Sequence, residues 1–218
     1  ALMDRTRLRP LPGGRLSVAD ARAFSVLTSL VGLFELALGV NVLSAMVALV
    51  TLLVYGWVYT PMKLRTPAAT LVGAVPGALP PLIGWAGARG TLSFDAWTLF
   101  AIVFCWQIPH FLAIAWMYRD DYRRAGFPML PVIESDGRRT GRQAVTFAAV
   151  LVVAAVLPYV LGLTGTTYLM GSFVLSVSLL GLAVRFALAR TDGRARSLFF
   201  GSLVYLPVLW ALLLIDRV

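Results

Sequence analysis

Apolar residues come in long runs along this chain, each closed by a short polar stretch or by glycine and proline. Seven runs are long enough to predict membrane-spanning helices, over residues 22–40, 42–59, 68–87, 97–117, 143–162, 168–189 and 197–215. Each can cross about 30 Å of hydrocarbon at about 1.5 Å per residue. The third run contains Pro76, Pro80 and Pro81. Proline frees backbone carbonyls inside the membrane, which predicts a kinked helix buried against its neighbours. Gly73 and Gly77 in the same run have the spacing that allows close helix approach, a weak signal in a glycine-rich chain.

The polar connections alternate in charge. Residues 1–22, the Lys63 and Arg65 turn, residues 119–142 and residues 185–196 are basic, whereas the turns near Asn41, Arg89 and Thr164 are nearly neutral. Of nineteen lysines and arginines, only Arg89 and Arg217 fall on the second side. The positive-inside rule then puts the N-terminal segment in the cytoplasm and the C-terminus outside. The cytoplasmic connections are also the long, chemically rich ones, so chemistry is expected at that mouth.

Composition agrees with an all-α, polytopic membrane bundle forming a single domain over residues 1–218. The chain is 59% hydrophobic and 13% charged with a mean hydropathy of +0.83, far from the roughly half apolar and quarter charged residues of soluble domains. The net charge of +9 would suit nucleic acid, but the arginines sit between apolar runs, so topology explains them and no nucleic-acid partner is expected. Cys105 is the only cysteine, which excludes an intrachain disulfide and reads as a buried thiol. The chain starts at Ala1 without a signal peptide, as if entered in mid-sequence.

The candidate chemistry lies mainly between Trp106 and Pro131. If the helix continues through Asp121, His110 and Asp121 fall within about 20° of one face, with Gln107, Ile114 and Tyr118 beside them. A carboxylate at the interface and an imidazole about 16 Å deeper suit a ligand that is anionic at one end. His110, the only histidine, reads as functional or as a structural partner of a carbonyl freed by Pro109. Asp120 and Asp121 read either as ligands of a magnesium-bound diphosphate or as ion-pair partners of Arg119, Arg123 and Arg124. Lys63, Arg65, Arg5, Arg7 and Arg9 reach the same side, as diphosphate binders or as topology signals. Glu35, in mid-membrane, is either a substrate contact or a hydrogen-bond partner. Trp57, Tyr59, Trp97, Trp116 and Tyr118 fit interfacial aromatic belts.

Four blocks resemble the UbiA-type intramembrane prenyltransferases, in order and over nearly the whole chain. They are residues 5–12 (Arg-Thr-Arg-Leu-Arg-Pro-Leu-Pro), Tyr59-Thr60-Pro61 with Lys63 and Arg65-Thr66, Pro80 to Trp85, and Trp106 to Phe111 running on to Tyr118-Arg119-Asp120-Asp121-Tyr122 and Ala125-Gly126. The last block is similar to the branch that acts on haem. The resemblance implies a nine-helix bundle that transfers the farnesyl group of farnesyl diphosphate to a vinyl group of haem b, giving haem O. It implies Mg2+ held through the diphosphate, an allylic carbocation formed on departure of the leaving group, and haem b as substrate rather than cofactor. It further implies a bacterial inner membrane and a link to haem A synthase or terminal oxidase assembly.

Carried over residue by residue, Asp121 is the metal-binding carboxylate with Asp120 as helper. Lys63, Arg65, Arg119, Arg5, Arg9 and Tyr122 are the substrate-binding residues, and His110 faces the porphyrin as axial ligand or proton-transfer group. The family's first acidic motif should end just before Ala1, so the chain is expected to lack two helices and to be inactive alone. Two other readings stay open: a UbiA-type enzyme acting on a quinone or chlorophyll precursor, and a non-enzymatic transporter or assembly factor. The Pro109-His110-Phe111 block favours haem over the first. The scarcity of ionisable residues at depth beyond Glu35 and His110 speaks against the second.

Overall fold

The computed structural model describes Met3 and residues 6–218. Its helices are α1 (Val18–Gly39), α2 (Val42–Leu53), α3 (Thr60–Met62), α4 (Ala69–Ala78), α5 (Pro80–Arg89), α6 (Phe94–Met117), α7 (Arg119–Arg124), α8 (Leu130–Ile133), α9 (Arg138–Val160), α10 (Thr166–Ala189) and α11 (Asp192–Ile215). A π-helical turn, Val54–Tyr59, joins α2 to α3, and α4 and α5 meet at Leu79. Seven spans result: Val18–Gly39, Val42–Met62, Ala69–Arg89, Phe94–Met117, Arg138–Val160, Thr166–Ala189 and Asp192–Ile215. This is a multi-pass membrane protein.

All seven expected spans are present, but several start earlier than hydropathy alone places them. The polar first turns carry caps that an apolar window misses. Ser17 accepts a hydrogen bond from Asp20 N at the start of α1, and Thr191 accepts one from Arg194 N at the start of α11. At α9, Asp136 and Glu134 accept from the backbone N–H groups of Arg138 and Arg139. These bonds satisfy donors that have no partner inside a helix.

Helices α6, α9, α10 and α11 close into a four-helix bundle, with α4 against α6, α5 against α2, and α1 against α2. Lipid is as apolar as leucine, so close packing of small residues holds such helices together. The buried rows show it, with Ala144, Ala148, Leu151 and Ala155 on α9 and Ser172, Ser176, Leu179 and Ala183 on α10. Ser176 and Tyr205 join α10 to α11 by a hydrogen bond of 2.9 Å. Cys105 is buried, as expected.

Gly141 marks a close α9–α10 approach, because a Cβ there would lie 2.8 Å from Ala187 Cα. Backbone cannot yield as a side-chain tip can. Gly141→Val is therefore expected to destabilise the bundle by about 1–3 kcal/mol. A thermal melt in detergent that matches the parent would contradict that packing.

Candidate active site

A cavity of about 830 Å³ opens on the basic side between α2, the π turn, α4, α6 and α7. Its walls follow from local sequence. Pro61 has no N–H, and its ring would crowd the carbonyl four residues back, at Trp57. The helix widens there, and both the backbone N–H and the hydroxyl of Thr60 bond to Tyr55 O. The wide turn places Tyr55 and Tyr59 side by side on the cavity wall, ring centroids 5.3 Å apart. Opposite them Gly73 makes room, since a Cβ would stand 2.6 Å from the Tyr59 ring. Tyr59 thus belongs to the cavity rather than to an interfacial belt.

Deeper, Gln107 spans the gap between α6 and α4. Its Nε2 donates to Ala74 O at 2.7 Å, and a Cβ on Gly77 would overlap its Oε1. Pro80 and Pro81 have no N–H to offer the carbonyls of Pro76 and Gly77. The break at Leu79 follows, as the prolines predicted. A second groove of about 610 Å³, between α5, α6 and α11, shares Gly77 with the first and carries Trp85, Trp106 and Trp210.

The mouth is cationic. Arg9 from the N-terminal segment and Lys63 at the end of α3 line it, together with Tyr122 of α7. Tyr122 is held by the way α7 stops. Gly126, at φ +72°, turns the chain so that Gly126 N bonds Arg123 O and Phe127 N bonds Tyr122 O. This left-handed termination folds the Phe127 ring onto Tyr122, centroids 5.9 Å apart. The Ala125-Gly126 motif thereby acquires a structural purpose: it sets Tyr122 at the cavity rim.

The single helix assumed from His110 to Asp121 is not present. Helix α6 ends at Met117, and Tyr118, with φ −111° and ψ 22°, redirects the chain into α7. The cavity receives Gln107, Phe111 and Ile114 from α6, whereas His110 turns towards α11. There its Nδ1 lies 2.8 Å from Ser202 Oγ, between the rings of Trp106 and Phe199. Its partner is a side-chain hydroxyl, and not a carbonyl freed by Pro109.

The two aspartates occupy different surroundings. Asp121 pairs with Arg124 and its side chain is only 13% exposed, while Asp120 pairs with Arg123 at 2.6 Å and is 65% exposed. Arg119 lies outside the cavity lining. It stacks on Trp116, with its guanidinium carbon 4.9 Å from the ring centroid, and pairs with Asp192 at 2.6 Å. Trp116 is itself buried against Phe186, which removes it from the expected aromatic belt. Arg65 is exposed and also outside the lining. Arg5 lies outside the described residues. Glu35 is exposed on α1, beside a shallow groove with Thr28 and Ser29.

Among the described residues no three His, Cys, Asp or Glu side chains gather to hold a metal ion. A diphosphate-bound Mg2+ does not require such a cage, since that ion is usually held by one or two carboxylates plus phosphate oxygens. Asp121 supplies one enclosed carboxylate next in sequence to the rim residue Tyr122, although neither it nor Asp120 lines the cavity itself.

Comparison with known proteins agrees with the geometry. Residues 1–206 match the UbiA prenyltransferase family. The chain is 50% identical to protoheme IX farnesyltransferase of Solibacter usitatus, over 99% of its own length and 74% of that protein. It is 45% identical to the Myxococcus xanthus enzyme of the same name, with the same coverage, and 40% identical to the mitochondrial one of Arabidopsis thaliana, over 99% of this chain and 50% of that one. The fold is shared with a solved structure of a digeranylgeranylglyceryl phosphate synthase, with a TM-score of 0.79 at 17% identity over 98% of this chain and 75% of the other.

Proposed function

Because the chain belongs to the UbiA prenyltransferase family, we propose that it transfers the farnesyl group of farnesyl diphosphate to a vinyl group of haem b, giving haem O. The cavity that is cationic at its mouth and apolar at depth carries this reading. A farnesyl diphosphate is built the same way, with its charge at one end and fifteen carbons behind it.

Lys63 and Arg9 hold diphosphate oxygens at the rim, and Tyr122 closes the wall beside them. Asp121 is the carboxylate that would hold Mg2+ on the diphosphate, with Asp120 beside it in a supporting place. The ion supplies charge stabilisation to the departing diphosphate. Arg119 and Arg65 act at longer range, through the positive field of this face. Tyr55, Tyr59, Phe111 and Ile114 shield the allylic carbon from bulk water. His110 faces the porphyrin side of the reaction, as axial ligand or proton acceptor. The basic side is cytoplasmic in an inner bacterial membrane by the positive-inside rule, and the product would pass to haem A synthase or terminal oxidase assembly.

The test uses the full gene product in membranes, supplied with haem b, farnesyl diphosphate and MgCl2. Haem O is expected by chromatography and mass spectrometry, and chelation should stop its formation. Farnesylation of a phenolic acid with haem b untouched would sink the assignment.

A further inference from the structure

We propose that Ser202 is a positioning residue for His110: it holds the imidazole with its proton on Nδ1, so that the nitrogen offered to haem b is Nε2. This rests on the farnesyltransferase reading for its catalytic meaning, though not for its geometry. Three contacts carry the inference. Ser202 Oγ lies 2.6 Å from Phe199 O and 2.8 Å from His110 Nδ1, and Trp106 Nε1 donates to Ser202 O at 2.8 Å.

A hydroxyl has one proton, and a carbonyl oxygen can only accept. Two oxygens 2.6 Å apart with no proton between them would set lone pair against lone pair, so the Ser202 proton lies on the Phe199 contact. Ser202 Oγ must then accept from His110, which requires Nδ1–H. Nε2 keeps its lone pair and meets no partner among the described residues. Either role open to His110, iron ligand or proton acceptor, needs a free lone pair on the nitrogen facing the substrate.

The setting is rigid. Ser202 is fully buried, His110 is 8% exposed, and the imidazole lies 5.2 Å from the Trp106 ring and 5.0 Å from Phe199. Trp106 and His110 are one turn apart on α6, so the bond from the Trp106 indole to the Ser202 carbonyl fixes α11 in register with both. An imidazole held this way cannot flip to exchange its nitrogens without breaking its bond to Ser202 and turning between the two flanking rings.

In full-length protein labelled with 15N-histidine, the ring signals of His110 are identified as those that a His110→Gln variant loses. The His110 ring nitrogens of the parent are expected to read as pyrrole-type Nδ1 and pyridine-type Nε2. Ser202→Ala should move the proton to Nε2 and lower kcat for haem O formation by roughly tenfold or more. The KM for farnesyl diphosphate should stay unchanged, because the diphosphate rim lies on the other face of α6. Ser202→Thr keeps the hydroxyl and should restore both signal pattern and turnover, while Ser178→Ala, on an exposed position of α10, should alter neither. A protonated Nε2 in the parent overturns the proposal, and so does full turnover by a Ser202→Ala protein whose tautomer has switched. If the parent makes no haem O yet shows the expected nitrogens, the farnesyltransferase reading fails and the positioning by Ser202 stands.

Discussion

Asp121→Asn is expected to lower kcat for haem b farnesylation by roughly 10²–10³-fold, the usual loss when one electrostatic stabiliser of a developing charge is removed. The substitution preserves shape and removes one negative charge where Mg2+ would sit. Its cost to folding should be small, because the Arg124 partner is 52% exposed and such pairs contribute about 0–1 kcal/mol. Turnover should therefore collapse while the melting temperature barely moves, and added MgCl2 should recover little. Asp120→Asn should be far milder, since that carboxylate is mostly in solvent. Normal turnover by the Asp121 variant, or a greater loss from Asp120, would reverse the assignment of the metal-binding carboxylate.

Gly77→Val is expected to damage both stability and substrate binding. A side chain there overlaps Gln107, whose amide is tied to Ala74 O and has no room to retreat without leaving buried polar groups unpaired. That loss costs about 1–3 kcal/mol, with a comparable amount for overpacking. Valine also intrudes where the two cavities meet, so the KM for farnesyl diphosphate should rise in whatever protein remains folded. Gly181→Ala is the control, because nothing lies within 4 Å of a Cβ there. Equal melting temperatures and equal KM values for the two variants would show that the Gly77–Gln107 contact does not shape the site.

The spans were legible because their cause is local. Hydrocarbon thickness sets how many apolar residues a helix needs, and that number can be counted without knowing any neighbour. The proline break at Leu79 and the buried Cys105 were legible for the same reason. The positions of side chains around each helix were less so. Tyr59 and Trp116 looked like belt residues at the ends of apolar runs, yet Gly73 draws one into the cavity and Phe186 buries the other. Arg119 shares the charge and motif of a diphosphate binder, but Trp116 and Asp192 hold it elsewhere. Tyr55 could have been found from Thr60-Pro61, whose chemistry forces the widened turn.

The sequence by itself determined the all-helical membrane class, the seven spans, the concentration of positive charge on one side and the motifs that resemble prenyltransferases. The tertiary structure alone decided that α6 breaks at Tyr118, that Asp121 rather than Asp120 is enclosed, and that His110 leaves the Gln107 face to meet Ser202, ninety-two residues away. Length and polarity are properties of a segment. The rotation of a helix about its own axis is set by the neighbours that pack against it, and those come from distant parts of the chain.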